Sequence, residues 1–234
     1  MSTPPLPAAP RLVLFDLDDT LCDYANARAR RLEIAFRIAS ERSGVELDTD
    51  MSALIEESIA IHPHSTEHFS DLLGRHGIAD EQAVAAARDW YGSHQFHTLA
   101  LFEDAMQTLE TVRAFPSVER IGLVTNGPSE VQRCKIELLG VEASVDFILV
   151  SEEFGVWKPD PGIFVEALRL GGAGSEEAVF IGDSAEQDIA GAQAAGIAGI
   201  WIDPAGRGWE QPFPAPACSV ASLAEIRGLF ANRG

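Results

Sequence analysis

The chain has 234 residues, of which 46% are hydrophobic and 23% are charged, a balance that is ordinary for a globular protein with a buried core. No apolar run approaches the roughly 20 residues that a membrane-spanning helix needs, so we expect no membrane protein. Acidic residues outnumber basic ones by 36 to 17, and the formal charge of −19 disfavours nucleic acid polymers and anionic membranes as partners.

The first ten residues are rich in proline and contain no basic residue and no apolar stretch. We expect residues 1–10 to form a loose N-terminal arm that is neither a signal peptide nor a transit sequence. The three cysteines are widely separated and odd in number, which fits neither a disulfide framework nor a zinc site. These features predict a cytoplasmic protein with reduced thiols.

Short apolar segments that alternate with longer helical patterns follow the arm. Such segments are typical of strands buried on both faces of a parallel sheet. The predicted strands are residues 12–15, 120–125, 147–150, 178–181 and 197–202, and the predicted crossover helices are residues 129–139, 161–170 and 185–195. Asp160 followed by Pro161 is a typical N-cap and first-turn pair. This alternation predicts an α/β fold with a Rossmann-like parallel sheet.

The alternation is interrupted between residues 23 and 97, where helix-forming residues dominate and strand signals are absent. The predicted helices in this segment are residues 26–43, 51–61, 65–76 and 80–96. We therefore expect an inserted all-helical cap domain at residues 23–97. The α/β core would then comprise residues 11–22 and 98–234.

Acidic residues follow the first predicted strand directly. Asp16 and Asp18 stand where open α/β sheets bind ligands, at the carboxyl end of a strand. Residues two apart in an extended chain point to the same side, so both carboxylates can face one pocket. An EF-hand calcium loop would need glycine and glutamate where the chain has Leu21 and Ala27. The pair instead offers a nucleophile and a proton carrier.

Two further segments carry groups that suit a phosphate. Thr125 and Asn126 end the second predicted strand, just before a helix whose N-terminal amides favour anions. Lys158 stands next to Pro159, which restricts the backbone and can aim the ammonium group. A cation is needed to hold a phosphate near anionic Asp16, so we interpret Lys158 as functional.

The predicted strand at residues 178–181 also ends in acidic residues. Asp183 follows it, with Glu186 and Asp188 close behind, and hard oxygen ligands of this type suit Mg²⁺. A nucleophilic serine is the rival interpretation, but the sequence around Ser184 does not fit a G-x-S-x-G elbow.

These segments, in this order, resemble the four motifs of the haloacid dehalogenase superfamily. The matching residues are Asp16-Leu17-Asp18-Asp19-Thr20 after a hydrophobic strand, Thr125 at a strand end, Lys158 before Pro159, and Gly182-Asp183-Ser184 with Asp188. The insert resembles the helical cap of the phosphatase-rich branch of that superfamily. Residues 124–127, with Gln132-Arg133 and Lys135-Ile136, are similar to the pyrimidine nucleotidase and N-acylneuraminate-9-phosphatase group.

The resemblance implies a phosphohydrolase with Asp16 as nucleophile and Asp18 as general acid and base. It also implies that a substrate phosphate is bound by Thr125, Asn126 and Lys158. The implied cofactor is Mg²⁺, held by the side chains of Asp16 and Asp183 and the backbone carbonyl of Asp18. By the same resemblance, Asp188 positions either Lys158 or a metal-bound water.

Other functions on the same fold stay open. A 2-haloacid dehalogenase would use the same nucleophile, but halide leaves without a proton, so Asp18 and Asp183 favour a phosphatase. A phosphomutase would keep all four motifs, and a non-catalytic binding protein would be expected to lose at least one of them. The expected substrate is a small phosphorylated metabolite, such as a nucleoside monophosphate or a sugar phosphate. Candidate specificity residues in the insert are Arg28, Arg31, His62, His64, His68, Trp90, Tyr91 and His94.

Overall fold

The computed structural model describes residues 3–47, 50–62 and 65–231. The chain forms two compact units: Met1–Asp23 with Ala100–Gly234, here called the core unit, and Tyr24–Leu99, here called the helical unit. The insert expected at residues 23–97 begins one residue before the helical unit begins and ends two residues before the helical unit ends. Among the described residues, no helix is long and apolar enough to cross a membrane.

In its described residues the helical unit consists of α1 (Tyr24–Ser43), α2 (Met51–Ile61), α3 (Phe69–Arg75) and α4 (Glu81–Ser93). The side chain of Asp50 caps α2 and that of Asp80 caps α4, each by accepting a backbone N–H. Phe36, Phe69 and Tyr91 pack edge-to-face in its core, with ring centroids 5.1 and 5.8 Å apart.

Two of these helices are shorter than predicted. α3 begins at Phe69 rather than at residue 65, because the Ser65 hydroxyl accepts the Glu67 N–H and competes with the helical pattern. α4 ends at Ser93 rather than at residue 96, since the Ser93 hydroxyl donates to the carbonyl of Asp89 in the last turn. Four helices were thus predicted for the helical unit and four are present in its described residues, and local side-chain hydrogen bonds set the ends of two of them.

The core unit is built on a six-stranded sheet in the order β3-β2-β1-β4-β5-β6, with every neighbouring pair parallel. The strands are β1 (Leu12–Phe15), β2 (Arg120–Thr125), β3 (Phe147–Val150), β4 (Ala178–Gly182), β5 (Ala198–Ile202) and β6 (Cys218–Val220). Five strands were predicted within one residue at either end. The short edge strand β6 was not.

The helices of the core unit are α5 (Ala105–Arg113), α6 (Ser129–Leu139), α7 (Ser151–Phe154), α8 (Pro161–Gly171), α9 (Gly191–Ala194) and α10 (Leu223–Ala231). α6 matches its prediction, and α8 starts where the Asp160-Pro161 pair indicated, with the Asp160 side chain accepting from the Gly162 N–H. The predicted helix at residues 185–195 is divided into a π-helical segment, Ala185–Ala190, and α9. Residues 3–10 form neither helix nor strand, yet Thr3 donates a hydrogen bond to the Ala215 carbonyl at 2.8 Å.

The register of the sheet decides where the functional groups meet. Phe15, the last residue of β1, pairs with Leu123 on β2 and with Ile181 on β4. The three strands therefore end side by side at one edge. The residues that follow or close them, Asp16 and Thr125 among them, come together there.

Candidate active site

The central strand β1 brings the first carboxylate to this edge. Asp16 follows β1 directly, its N–H donates to the Ile181 carbonyl at 3.0 Å, and its side chain is buried. The chain then turns at Asp19, whose φ of 60° is a backbone conformation that aspartate tolerates better than most residues. The Asp19 N–H closes the turn on the Cys22 carbonyl at 2.8 Å. A hydrogen-bonded turn thus fixes the segment that carries Asp16 and Asp18.

Lys158 is the buried cation next to the nucleophile candidate. Its Nζ lies 2.6 Å from Asp16 Oδ1 and 2.7 Å from Asp188 Oδ1. Burial lowers the pKa of this ammonium group, but the charges and hydrogen bonds of Asp16 and Asp188 outweigh burial and raise the pKa above its usual value. Lys158 therefore stays charged beside Asp16, as its predicted role requires.

Asn126 holds the main chain of Lys158. Its amide nitrogen donates to the Lys158 carbonyl at 2.9 Å, and its amide oxygen accepts the Lys158 N–H at 2.9 Å. A third hydrogen bond, of 3.1 Å, joins the Asn126 amide nitrogen to Gln187 Oε1. The contact of Asn126 with a phosphate stays a prediction, whereas its contact with the lysine loop is direct.

Thr125 closes β2 and is almost completely buried. Its hydroxyl accepts a hydrogen bond from the side-chain amide of Gln132 on α6, and the same amide nitrogen lies 3.4 Å from Asp18 Oδ2. Gly127 lets this glutamine come close, because a Cβ at Gly127 would lie 2.9 Å from Gln132 Cγ. The φ of Gly127, 152°, also favours glycine.

Asp16, Asp183 and Asp188 form a carboxylate cluster in which one oxygen of each lies within 4.8 Å of the others. Burial first, and then the charges of Asp188 and Asp19, raise the pKa of Asp183 to about 7. Burial is also the main reason that the pKa of Asp16 is raised. Carboxylates that repel one another in this way, with oxygen donors at this spacing, fit a bound Mg²⁺.

Asp188 belongs to this cluster and also contacts Lys158, which is one of the two roles expected for it. The Ser184 N–H donates to Asp188 Oδ2 at 2.9 Å. Gly182 allows the carboxylate this position, because a Cβ there would overlap the Asp188 side chain. Asp183 is held from the other side, where the indole N–H of Trp201 donates to its carbonyl at 2.7 Å.

The side chain of Asp18 points to a partner that the sequence analysis did not name as a site residue. Lys135 Nζ lies 2.9 and 2.7 Å from the two carboxylate oxygens of Asp18. Asp18 is therefore outside the side-chain cluster around Asp16, and its backbone role towards a metal stays a prediction. The composition could have indicated Lys135, because Lys135 and Lys158 are the only lysines in a chain with 15 arginines.

The candidate specificity residues make contacts within the helical unit. The Arg31 guanidinium lies 4.0 Å from the centre of the Tyr91 ring and donates to the Tyr91 carbonyl at 2.8 Å. His94 stacks on Trp90 with ring centroids 4.4 Å apart. His68 Nε2 lies 2.7 Å from the Ser58 hydroxyl. These are packing contacts, and His64 lies outside the described residues.

Comparisons with known proteins agree with this geometry. The family model of the haloacid dehalogenase-like hydrolases matches residues 10–196. A glyceraldehyde 3-phosphate phosphatase from Methanopyrus kandleri is 36% identical, over 82% of this chain and 83% of its own length. The N-acylneuraminate-9-phosphatase of Mus musculus is 30% identical, over 94% of this chain and 93% of its own.

The fold agrees as well. The crystal structure of the HAD hydrolase YfnB from Bacillus subtilis, solved with bound magnesium, superposes with a TM-score of 0.69 at 25% identity, over 94% of this chain and 98% of that one. The matched residues 10–196 include four of the six strands, together with Asp16, Thr125, Lys158 and Asp183. The chain is therefore an enzyme that belongs to the haloacid dehalogenase-like hydrolase family, with phosphatases among its relatives.

Proposed function

We propose that the protein is a Mg²⁺-dependent phosphatase that hydrolyses a small phosphate monoester through an aspartyl-phosphate on Asp16. The observation that carries this proposal is that the two carboxylates of the first motif, Asp16 and Asp18, have different surroundings. Asp16 lies beside a buried ammonium group and the Asp183 and Asp188 carboxylates, whereas Asp18 is held apart from them. In this proposal Asp16 attacks phosphorus and Asp18 moves protons.

The side chains of Asp16 and Asp183 and the backbone carbonyl of Asp18 would hold the metal, with the Asp188 carboxylate beside them. When bound, Mg²⁺ offsets negative charge and polarises a phosphoryl oxygen. Burial is the main reason that the pKa values of Asp16 and Asp183 are raised, and a bound cation would offset the cost of burying their charged forms. The bound magnesium of the Bacillus subtilis relative supports this assignment.

In the first step, a carboxylate oxygen of Asp16 attacks phosphorus, and the bond from phosphorus to the leaving-group oxygen breaks. Asp18, in the protonated form that this step requires, gives its proton to that oxygen. In this proposal Lys158 and the Thr125 hydroxyl hold the phosphoryl oxygens while charge develops on them.

In the second step, water attacks the phosphorus and Asp18 takes a proton from it. The bond between Asp16 and phosphorus breaks, inorganic phosphate leaves, and both aspartates return to their initial states. The dehalogenase alternative makes no use of a proton carrier at Asp18. The arrangement of Asp18 therefore supports phosphoryl chemistry.

The substrate class that we propose is a small phosphorylated metabolite. The relatives named above act on glyceraldehyde 3-phosphate and on an N-acylneuraminate 9-phosphate. Both carry one phosphate monoester on a polar carbon chain.

The test is phosphate release from p-nitrophenyl phosphate and from a panel of sugar phosphates and nucleoside 5′-monophosphates, with Mg²⁺ or with a chelator. Activity that is lost with the chelator and restored by Mg²⁺ is expected. A 2-haloacid offered under the same conditions should release no halide. Full phosphatase activity without a divalent cation, or halide release without phosphate release, would refute the proposal.

A further inference from the structure

The buried face of α6 carries two polar side chains where apolar ones would be expected. Gln132 and Lys135 are three residues apart, which places them on the same side of the helix, and both are buried together with Ile136. The side chain of Lys135 is only 3% exposed. A leucine or methionine would fill the same space, so packing alone does not explain a lysine.

The ammonium group of Lys135 meets both oxygens of Asp18, at 2.9 and 2.7 Å. Burying an ammonium group costs free energy unless a carboxylate and hydrogen bonds compensate for it. Asp18 supplies that compensation. The same two contacts restrict the rotation of the Asp18 carboxylate, because both of its oxygens are hydrogen-bonded.

Gln132 connects this ion pair to the phosphate-binding side of the site. Its amide nitrogen lies 3.4 Å from Asp18 Oδ2 and also bonds to the Thr125 hydroxyl. Two side chains of one helix therefore hold Asp18 against the end of β2. These contacts hold the Asp18 carboxylate outside the cluster of Asp16, Asp183 and Asp188.

The use of lysine in this chain points in the same direction. All basic residues except Lys135 and Lys158 are arginines, and each of the two lysines contacts one aspartate of the first motif. Lysine ends in a compact ammonium group with three donors, whereas arginine carries a longer planar fork. The two lysines thus stand where a single nitrogen contacts a carboxylate inside the candidate site.

We propose that Lys135 is a positioning residue that holds the Asp18 carboxylate in the orientation needed for proton transfer. This role rests on the phosphatase function proposed above. It predicts that removing the ammonium group harms the reaction only through Asp18. The loss should therefore depend on how much the leaving group needs a proton.

The test compares Lys135→Met with the wild-type enzyme on phenyl phosphate and on p-nitrophenyl phosphate, whose leaving group needs less protonation. The expected loss in kcat/KM is roughly 10- to 100-fold for phenyl phosphate and clearly smaller for p-nitrophenyl phosphate. In the Asp18→Asn background, adding Lys135→Met should change kcat/KM by no more than about twofold. Arg133→Met is the matched control, because Arg133 lies on the same helix and its ion pair with Glu153 is at the surface.

Circular dichroism and thermal unfolding would establish that each variant is folded. If Lys135→Met does not fold, Lys135→Arg replaces it in the same comparison. Equal losses with both leaving groups, or a full loss in the Asp18→Asn background, would overturn the proposal for Lys135 while leaving the phosphatase function intact. A wild-type enzyme without Mg²⁺-dependent phosphatase activity would overturn both.

Discussion

The side chain of Asn126 pairs with both main-chain polar groups of Lys158, donating to its carbonyl and accepting from its N–H. This pairing fixes the peptide from which the buried ammonium group extends to Asp16. Asn126 is thus connected to Asp16 through the backbone and side chain of Lys158.

Asn126→Ala is expected to lower kcat/KM for p-nitrophenyl phosphate by roughly 10- to 100-fold, because Lys158 loses its fixed position. It should also lower the free energy of unfolding by about 1–3 kcal/mol, since polar groups of the Lys158 main chain lose their partners. Steady-state kinetics and thermal unfolding measure the two effects. Gln187→Ala is the control, because it removes only the exposed 3.1 Å bond. Equal losses in both variants would contradict the role of the pairing.

The two carboxylates of the first motif should fail in different ways. Asp16→Asn removes the nucleophile, so activity should fall to background with good and poor leaving groups alike. Asp18→Asn removes proton transfer, which is typically worth on the order of 10² to 10⁴ in rate. Because water attack still needs a base, this variant should accumulate an acid-stable, hydroxylamine-labile phosphoenzyme.

Intact mass spectrometry after acid quenching would detect this phosphoenzyme and peptide mapping would locate it on Asp16. The Asp16→Asn protein, treated in parallel, should carry no phosphate. Phosphate found in that variant, or on a histidine or serine of either variant, would assign the nucleophile elsewhere.

Trp201 offers a readout of metal binding that does not depend on activity. Its indole N–H donates to the Asp183 carbonyl, and its side chain is buried. Adding Mg²⁺ to the chelator-treated protein should therefore change the tryptophan emission, and the change should disappear in Asp183→Asn. Trp201→Phe is the control for the source of the signal, since the other three tryptophans remain. An undiminished signal in Trp201→Phe would show that the metal is sensed elsewhere.

Gly182→Ala should inactivate the enzyme while leaving most of its fold intact. A Cβ at this position would overlap the Asp188 carboxylate and push it away from Lys158. Gly228→Ala is the contrasting change, because a Cβ there meets no atom within 4 Å and α10 gains a better helix former. Its expected effect is a gain of about 0.5–1 kcal/mol in stability with unchanged activity. Steady-state kinetics and thermal unfolding of both variants measure these effects. An active Gly182→Ala protein, or an inactive Gly228→Ala protein, would contradict the prediction.

The sequence predicted the parts of the fold that local pattern controls. The continuous apolar segments of β1, β2 and β3 gave the strand limits directly, and Asp160-Pro161 gave the start of α8. The strand β6 was missed because it is a short edge strand, only partly buried, that follows a proline-rich loop. Helix α10, which comes next, was missed with it.

The sequence singled out Asp16, Thr125, Lys158 and Asp183 as candidate site residues because each stands near the end of a strand or beside proline, and the catalytic roles of all four stay predictions. Lys135 stands in the middle of a helix, where its direction depends on how α6 packs against the sheet. The local sequence pattern does not show how α6 packs against the sheet. The lysine count would have singled this residue out, because it concerns the whole chain and not its neighbourhood.

The two buried lysines also determine how the protein responds to amine-directed reagents. An acylating ester finds no lysine side chain on the surface of the folded enzyme, because Lys135 and Lys158 are 3% and 2% exposed. Apart from the terminal amine, acylation must wait until α6 or the loop before α8 opens. The rate at which acyl groups accumulate on the intact protein therefore measures how often the candidate active site opens locally, and this measurement needs no engineered label.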